Sequence, residues 1–208
     1  MPSDPTVFIV DDDPAVTRAL GGLIESIDLK AVAYQSADEF LNAYRPTGPG
    51  CLVLDVRMPG MSGLELQQKL LAAGVSLPII MITGHGDIRM AVEAMSAGAF
   101  NFLEKPFRTQ ELCDNIQKAI RLDQDRWRHR QRQTRSEQRL AKLTPAECEV
   151  LELVVAGKTN KMMAEELGLS VRAIEDRRAR MMRNLGVKTR AELVELASAA
   201  GSVASRSL

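Results

Sequence analysis

Val7-Phe8-Ile9-Val10-Asp11-Asp12-Asp13-Pro14 decides the fold of the first part of this 208-residue chain. Four apolar residues without polar alternation suit a strand buried on both faces of a parallel sheet. The acidic triplet ends the run, and Asp13 before Pro14 is an N-cap signal for a helix. That helix places Val16, Leu20, Leu23, Ile24 and Ile27 on one face.

The unit recurs. Strand-like runs lie at 31–34, 52–54, 79–82 and 100–103. Ser36-Ala37-Asp38-Glu39 reads as a capping box opening the second helix, and Gly98 as the stop of the fourth. Thr109 caps a fifth helix that carries Leu112, Ile116 and Ile120. Five strand–helix units predict an α/β fold: a flavodoxin-like, doubly wound, parallel five-stranded domain in strand order 2-1-3-4-5.

Beyond it the chain changes character. Residues 1–120 carry 9 Lys+Arg against 15 Asp+Glu (−6), 121–142 carry 8 against 3 (+5), and 143–208 carry 10 against 9 (+1). The middle stretch has no apolar period. It reads as an extension of the last helix running into a flexible basic linker, with Trp127 packed locally or exposed; a merely solvated charged face is the alternative. From Leu143 the signals are helical. Thr144-Pro145-Ala146-Glu147 is a capping box with proline at the first helical position. Thr159, Ser170 and Thr189 are further caps, and Gly168 and Gly186 are stops. The predicted organisation is an α/β domain over 1–122, a basic linker or helix extension over 123–142, and a small all-α helix-turn-helix domain over 143–208.

Composition excludes several classes. Apolar residues make up 45% and charged residues 26%, the balance of a folded rather than a disordered chain. No apolar run reaches the roughly 18 residues of a membrane span, and residues 1–6 do not read as a signal peptide. Cys51, Cys113 and Cys148 match neither a disulfide framework nor zinc-ligand spacing, so a reducing cytosol is the expected compartment.

In an open parallel sheet, ligands bind beyond the carboxyl ends of the strands where strand order reverses. Asp11 and Asp12 follow strand one, Asp55 strand three, Thr83 strand four and Lys105 strand five. Three carboxylates in one pocket need compensation, and magnesium, held by oxygen ligands including the backbone carbonyl of Arg57, supplies it. Aspartate is a competent nucleophile for an acyl phosphate. A phosphoryl group on Asp55 would then meet Lys105 and Thr83 through charge-assisted hydrogen bonds. Singly, each acid could simply cap a loop; five such residues at the matching strand ends favour a site. His85 reads as a solvated loop histidine.

Val10-Asp11-Asp12-Asp13, Leu54-Asp55-Val56-Arg57-Met58-Pro59-Gly60-Met61-Ser62-Gly63, Ile82-Thr83-Gly84 and Glu104-Lys105-Pro106-Phe107 closely resemble the receiver domain of two-component response regulators. The resemblance covers about residues 5–122. It implies Asp55 as phosphoacceptor, Asp12 as a direct and Asp11 as a mainly water-mediated Mg2+ ligand, and Lys105 preceding a cis proline at Pro106. It also implies a switch pair of Thr83 and Phe102, and dimerisation through the helix 4–strand 5 face, near 88–97 and 100–107.

The helix from Val171 has a divided surface. Ile174, Met181 and Leu185 point inward; Arg172, Glu175, Asp176, Arg180 and Arg183 lie opposite, with Arg177 and Arg178 at the margins. Arginines reach phosphates or guanine edges and a carboxylate accepts from cytosine, although an Arg-rich helix can also be plain surface. Leu143-Thr144-Pro145-Ala146-Glu147, Gly157-Lys158-Thr159-Asn160-Lys161, Leu169-Ser170-Val171-Arg172 and Ala173-Ile174-Glu175-Asp176-Arg177-Arg178 resemble the LuxR-type four-helix DNA-binding domain. Ala173 stands where that family usually has threonine and Arg177 where it has histidine, so base preference does not carry over. The whole chain resembles a FixJ/NarL-type regulator. That implies DNA contacts from Lys158, Asn160, Ser170, Arg172, Glu175, Asp176, Arg177 and Lys188. It further implies a sensor histidine kinase, double-stranded DNA and RNA polymerase as partners, no membrane, and a homodimer on phosphorylation. Leu193 and Leu196 would then meet their symmetry mates on DNA.

Two rival classes remain open on the residues alone. A phosphatase or phosphotransferase with a carboxylate nucleophile needs an acid two residues on, where this chain has Arg57, and no glycine-rich phosphate loop follows strand one. A relay whose output domain binds protein or RNA is the other.

Overall fold

The computed structural model describes residues 4–84 and 88–201. Five parallel strands, β1 (Thr6–Val10), β2 (Lys30–Tyr34), β3 (Gly50–Asp55), β4 (Ile79–Thr83) and β5 (Asn101–Glu104), form one sheet in the order β2-β1-β3-β4-β5. The order reverses between β1 and β3, whose register pairs Val10 with Leu54. Alternate side chains feed two apolar layers. Val7, Ile9, Val53, Ile80 and Ile82 pack with α1 (Pro14–Glu25) and α5 (Thr109–Leu140) through Leu20, Ile24, Leu112 and Ile116. Val10, Leu52, Leu54 and Met81 pack with α2 (Ala37–Ala43), α3 (Gly63–Ala72) and α4 (Ile88–Ser96) through Phe40, Leu66, Leu70 and Ala94. Because both faces are covered, the central strands are apolar throughout instead of alternating with polar residues.

Several caps follow the sequence signals. Asp13 accepts from the Ala15 amide at 2.7 Å. Ser36 accepts from the Glu39 amide, but Glu39 reaches back to the amide of Gln35, so the predicted capping box is only half made. His85 lies outside the described residues.

A larger difference concerns the stretch after residue 121. The helix extension expected there runs on to Leu140 as part of one 32-residue helix, α5, so the segment expected to become a flexible linker is helical over most of its length. The physical reason is twofold. The stretch is rich in Arg and Gln, which are good helix formers, and lacks glycine and proline. Distant partners also anchor it: the buried Asp123 carboxylate accepts from the Gly50 amide at 2.9 Å, and Arg139 donates to the carbonyl of Leu185.

The chain divides into two compact units, with the division after Trp127. In the second, α6 (Pro145–Val155), α7 (Asn160–Leu167), α8 (Val171–Leu185) and α9 (Arg190–Ala199) enclose a core of Val150, Leu151, Met163, Ile174, Met181 and Leu193. Gly168 and Gly186 end α7 and α8 in the left-handed conformation, at φ 64° and 62°. Among the described residues, no helix is long and apolar enough to cross a membrane.

Candidate functional site

The strand register brings the carboxyl ends of β1, β3 and β4 level, so Asp11, Asp55 and Thr83 share one rim. Lys105, just beyond β5, reaches across it. Its Nζ lies 2.8 Å from Asp11 Oδ2 and 2.8 Å from Asp55 Oδ1, while its amide donates to the Thr83 carbonyl at 2.7 Å. The other carboxylate oxygens take backbone donors: Asp55 Oδ2 accepts from the Arg57 amide at 2.7 Å, and Asp11 Oδ1 from the Asp13 amide at 3.0 Å. Each acid is thereby fixed at both oxygens.

Asp11 and Asp55 are 2% and 6% exposed. Burial pushes the Asp55 carboxyl above the ordinary carboxylate range, although Lys105 and the Arg57 amide pull it down; the charge of Asp11 adds to the rise. Burial opposes the charge of Lys105 too, but its two carboxylate partners outweigh this and hold its ammonium above the usual lysine value.

Asp12 and Arg57 are exposed beside this triad. Among the described residues no three acidic, histidine or cysteine side chains are already gathered around one point. Lys105 already occupies the position between Asp11 and Asp55. Thr83 is fully buried, and the peptide between Lys105 and Pro106 is cis. Phe102 is half-buried against the α2–α4 layer.

One site-shaping residue stands in the quoted motif without a role assigned from sequence. A Cβ at Gly63 would lie 2.2 Å from the Asp55 carbonyl oxygen, so the start of α3 can approach the phosphoacceptor candidate only with glycine there. The readable signal is a glycine placed directly after the Ser62 cap.

In the helical unit, Arg172, Glu175, Asp176 and Lys188 are exposed and Arg177 is half-buried. The Ser170 hydroxyl caps α8 by accepting from the Ala173 amide at 3.2 Å. Lys158 pairs with Glu166 at 3.3 Å. Asn160 is largely spoken for: its Nδ2 donates to Glu175 Oε1 at 3.4 Å, and its Oδ1 accepts from Arg178 Nη1. It ties α7 to the recognition-type helix α8, and Arg178, placed at the margin from sequence, is its partner. Buried Glu147 makes the matching tie from α6, accepting from Asn184 at 2.9 Å and completing the Thr144 capping box. The Thr144 amide, then the Thr144 hydroxyl, Asn184 and the Arg180 charge, hold its carboxyl below the ordinary glutamate range against the opposing effect of burial.

The expected role of Leu193 and Leu196 needs correction. They are 0% and 6% exposed and pack inside their own unit, because the inward face of α9 closes the four-helix core. They are not available for a symmetry mate.

Residues 7–117 match the family profile described as the response regulator receiver domain, and residues 141–197 that of bacterial regulatory proteins, luxR family. Nodulation protein W of Bradyrhizobium diazoefficiens is 42% identical over 196 residues, 94% of this chain and 86% of that protein. Transcriptional regulatory protein FixJ of Azorhizobium caulinodans is 41% identical over 201 residues, 97% of this chain and 95% of that one. The solved structure of response regulator StyR superposes with a TM-score of 0.87 at 44% identity, covering 94% of this chain and 99% of that one.

Proposed function

The chain belongs to the two-component response regulators that join a receiver domain to a LuxR-type DNA-binding domain, and from that premise we propose that phosphorylation of Asp55 controls its transcriptional output. The observation that carries this reading is the triad in which Lys105 bridges Asp11 and Asp55 at the switch point of the sheet. The donor is a phosphohistidine of a sensor histidine kinase. An Asp55 carboxylate oxygen attacks phosphorus, the P–N bond breaks, and the electron pair leaves with the imidazole, which takes up a proton. The Arg57 amide and Lys105 hold the carboxylate in line. Lys105 then neutralises a phosphoryl oxygen, and Thr83 accompanies it, with Phe102 turning into the space released.

The donor set fits magnesium. Asp11, Asp12 and Asp55 against one ammonium leave two negative charges near the rim, and all the ligating atoms are hard oxygens. Asp11, Asp12, Asp55 and the Arg57 carbonyl would hold the ion. When bound, it offsets charge on the transferring phosphoryl oxygens.

The receiver corresponds to residues 1–122, the basic connector to 123–142 and the DNA-binding domain to 143–208. Lys158, Ser170, Arg172, Glu175, Asp176, Arg177 and Lys188 form the duplex-contacting set, with Asn160 acting through Glu175 and Arg178. Phosphorylation favours a homodimer on paired half-sites in the bacterial cytosol, with RNA polymerase as the downstream partner.

Labelling with acetyl phosphate tests the reading. The wild-type chain should be labelled in the presence of magnesium and not after chelation, and Asp55→Asn should remain folded but unlabelled. Labelling of Asp55→Asn at the wild-type rate would move the nucleophile elsewhere.

A further inference from the structure

We propose that the polar half of α5 is a second DNA-phosphate-binding surface, built on Arg132 and Arg135 beside the turn that follows α8. This rests on the DNA-binding reading and extends it to an element outside the helix-turn-helix. Residues 121–142 carry 8 Lys+Arg against 3 Asp+Glu. Spacings of three and four put Arg132, Arg135 and Arg139 on one helix face. That face lines a cleft of about 340 Å3 whose other wall includes Gly186, at the end of α8, and Glu192 and Glu195 of α9.

Arg139 is committed to this arrangement, since it donates to the Leu185 carbonyl and so fixes the row against the end of α8. Arg132 and Arg135 are exposed. Among the described residues no ion pair crosses the cleft from either of them to α9. Glu192 is occupied locally: its Oε2 accepts from the Lys188 amide at 2.9 Å, and it sits at the N-terminus of α9, where the helix dipole offsets its charge. Lys188, assigned above to duplex contact, is thus held beside the same cleft.

Duplex DNA is the occupant the charges favour. A guanidinium binds phosphate oxygens in a bidentate fork. Residues 121–140 of α5 carry 7 Lys+Arg against 3 Asp+Glu, a net +4, and from Arg128 on they belong to the same unit as Lys188. The acidic residues 1–120 of a second copy (−6) are the rival occupant, but their charges are scattered and partly buried, as at Asp11 and Asp55, and offer no regular row of phosphates. A polyanion does.

The test is a salt titration of the full-length chain on random-sequence duplex DNA, read by fluorescence anisotropy, between about 50 and 200 mM salt. Each phosphate contact contributes about 0.9 to the slope of log K against log salt. The doubly substituted R132Q/R135Q chain should therefore show a slope shallower by about 1.8, and R132K/R135K should restore it. An unchanged slope in R132Q/R135Q, with the wild type binding normally, overturns this proposal alone. A wild-type chain that binds no duplex at any of these salt concentrations overturns the DNA-binding reading on which it rests. Loss of self-association in R132Q/R135Q with the slope unchanged would assign the surface to a second copy, and would also overturn it.

Discussion

Replacing Lys105 by alanine should unbalance the rim in a way that depends on pH. Its ammonium makes two charge-assisted hydrogen bonds of 2.8 Å, to Asp11 and Asp55. Removing one partner of a buried ion pair costs about 3–5 kcal/mol, because the remaining charge is left uncompensated. The Lys105 side chain is 26% exposed, which weakens the pair, so about 3 kcal/mol is the reasonable figure near pH 8. The sign follows from linkage. Burial already raises the Asp55 carboxyl above its unfolded value, and without the ammonium it rises further. Stability tied to such a group is fully present below the unfolded carboxyl pKa and is lost as pH rises through the folded one. Lys105 itself, held above the ordinary lysine value, contributes fully at every pH below that value, so the wild type loses nothing from it between about pH 4.5 and 8. The deficit of Lys105→Ala should therefore be smaller near pH 4.5 than near pH 8, because protonation of the Asp55 carboxyl, favoured by its burial, removes the uncompensated charge. Urea unfolding followed by far-ultraviolet circular dichroism at both pH values measures it. Magnesium near pH 8 should recover part of the loss by binding the native carboxylates. Wild-type stability near pH 8, or a deficit equal at both pH values, would refute the argument.

Gly63→Ala forces a Cβ to within 2.2 Å of the Asp55 carbonyl oxygen, so the β3–α3 junction must shift. A cost of about 1–3 kcal/mol and slower acetyl phosphate labelling should appear together; a lowered melting temperature with unchanged labelling would contradict the positioning role. Glu147→Ala removes a capping box and the partner of Asn184, for a loss of about 2 kcal/mol at neutral pH. Because the Glu147 carboxyl is held low, its contribution is present above the ordinary glutamate pKa and disappears as pH falls through the folded value. Thermal melts of wild type and variant should converge in acid, and a gap that persists there would show that packing, not the carboxylate, carries the effect.

Which features were legible depends on whether their cause is local. The five strands, the Asp13 cap and the glycine stops at Gly168 and Gly186 arise from neighbouring residues, and all can be read along the chain. The rim residues were legible for a topological reason: the strand order alone brings the carboxyl ends of β1 and β3 together. The second half of α5 was legible as one of two readings, helix extension or linker, and its full length was not, since an amphipathic period is the usual sign of a helix and its anchors lie far off in sequence. Asp123 meets a residue 73 positions away, and Arg139 one 46 positions away. The closeness of the Gly63 approach to Asp55 and the Asn160–Arg178 tie were hidden for a related reason. They depend on how elements pack, and no spacing within one element encodes them.

The burial of Leu193 and Leu196 also moves the argument about coupling. If α9 spends its leucines on its own core, its inward face cannot join two output domains on DNA, and the proposed gain in affinity on phosphorylation would not come from that face. The receiver offers a candidate. Along α4, Ile88, Val92 and Met95 are 82%, 59% and 46% exposed, at spacings of four and three that make one continuous apolar stripe. Isolated exposed apolar residues are ordinary; three aligned on one short helix suggest a surface meant to be covered. That stripe belongs to the face through which the family resemblance implies dimerisation. It also adjoins β5, where Phe102 sits one strand from Thr83. A rearrangement of Thr83 and Phe102 would therefore be felt first at α4. Under the dimerisation proposed above, joining two receivers there would raise the effective concentration of the second DNA-binding domain at a paired half-site without any change in α8. On this account the recognition helix, held by Glu147–Asn184 on one side and Asn160–Arg178 on the other, is a fixed reader, and the controlled quantity is how many readers arrive together.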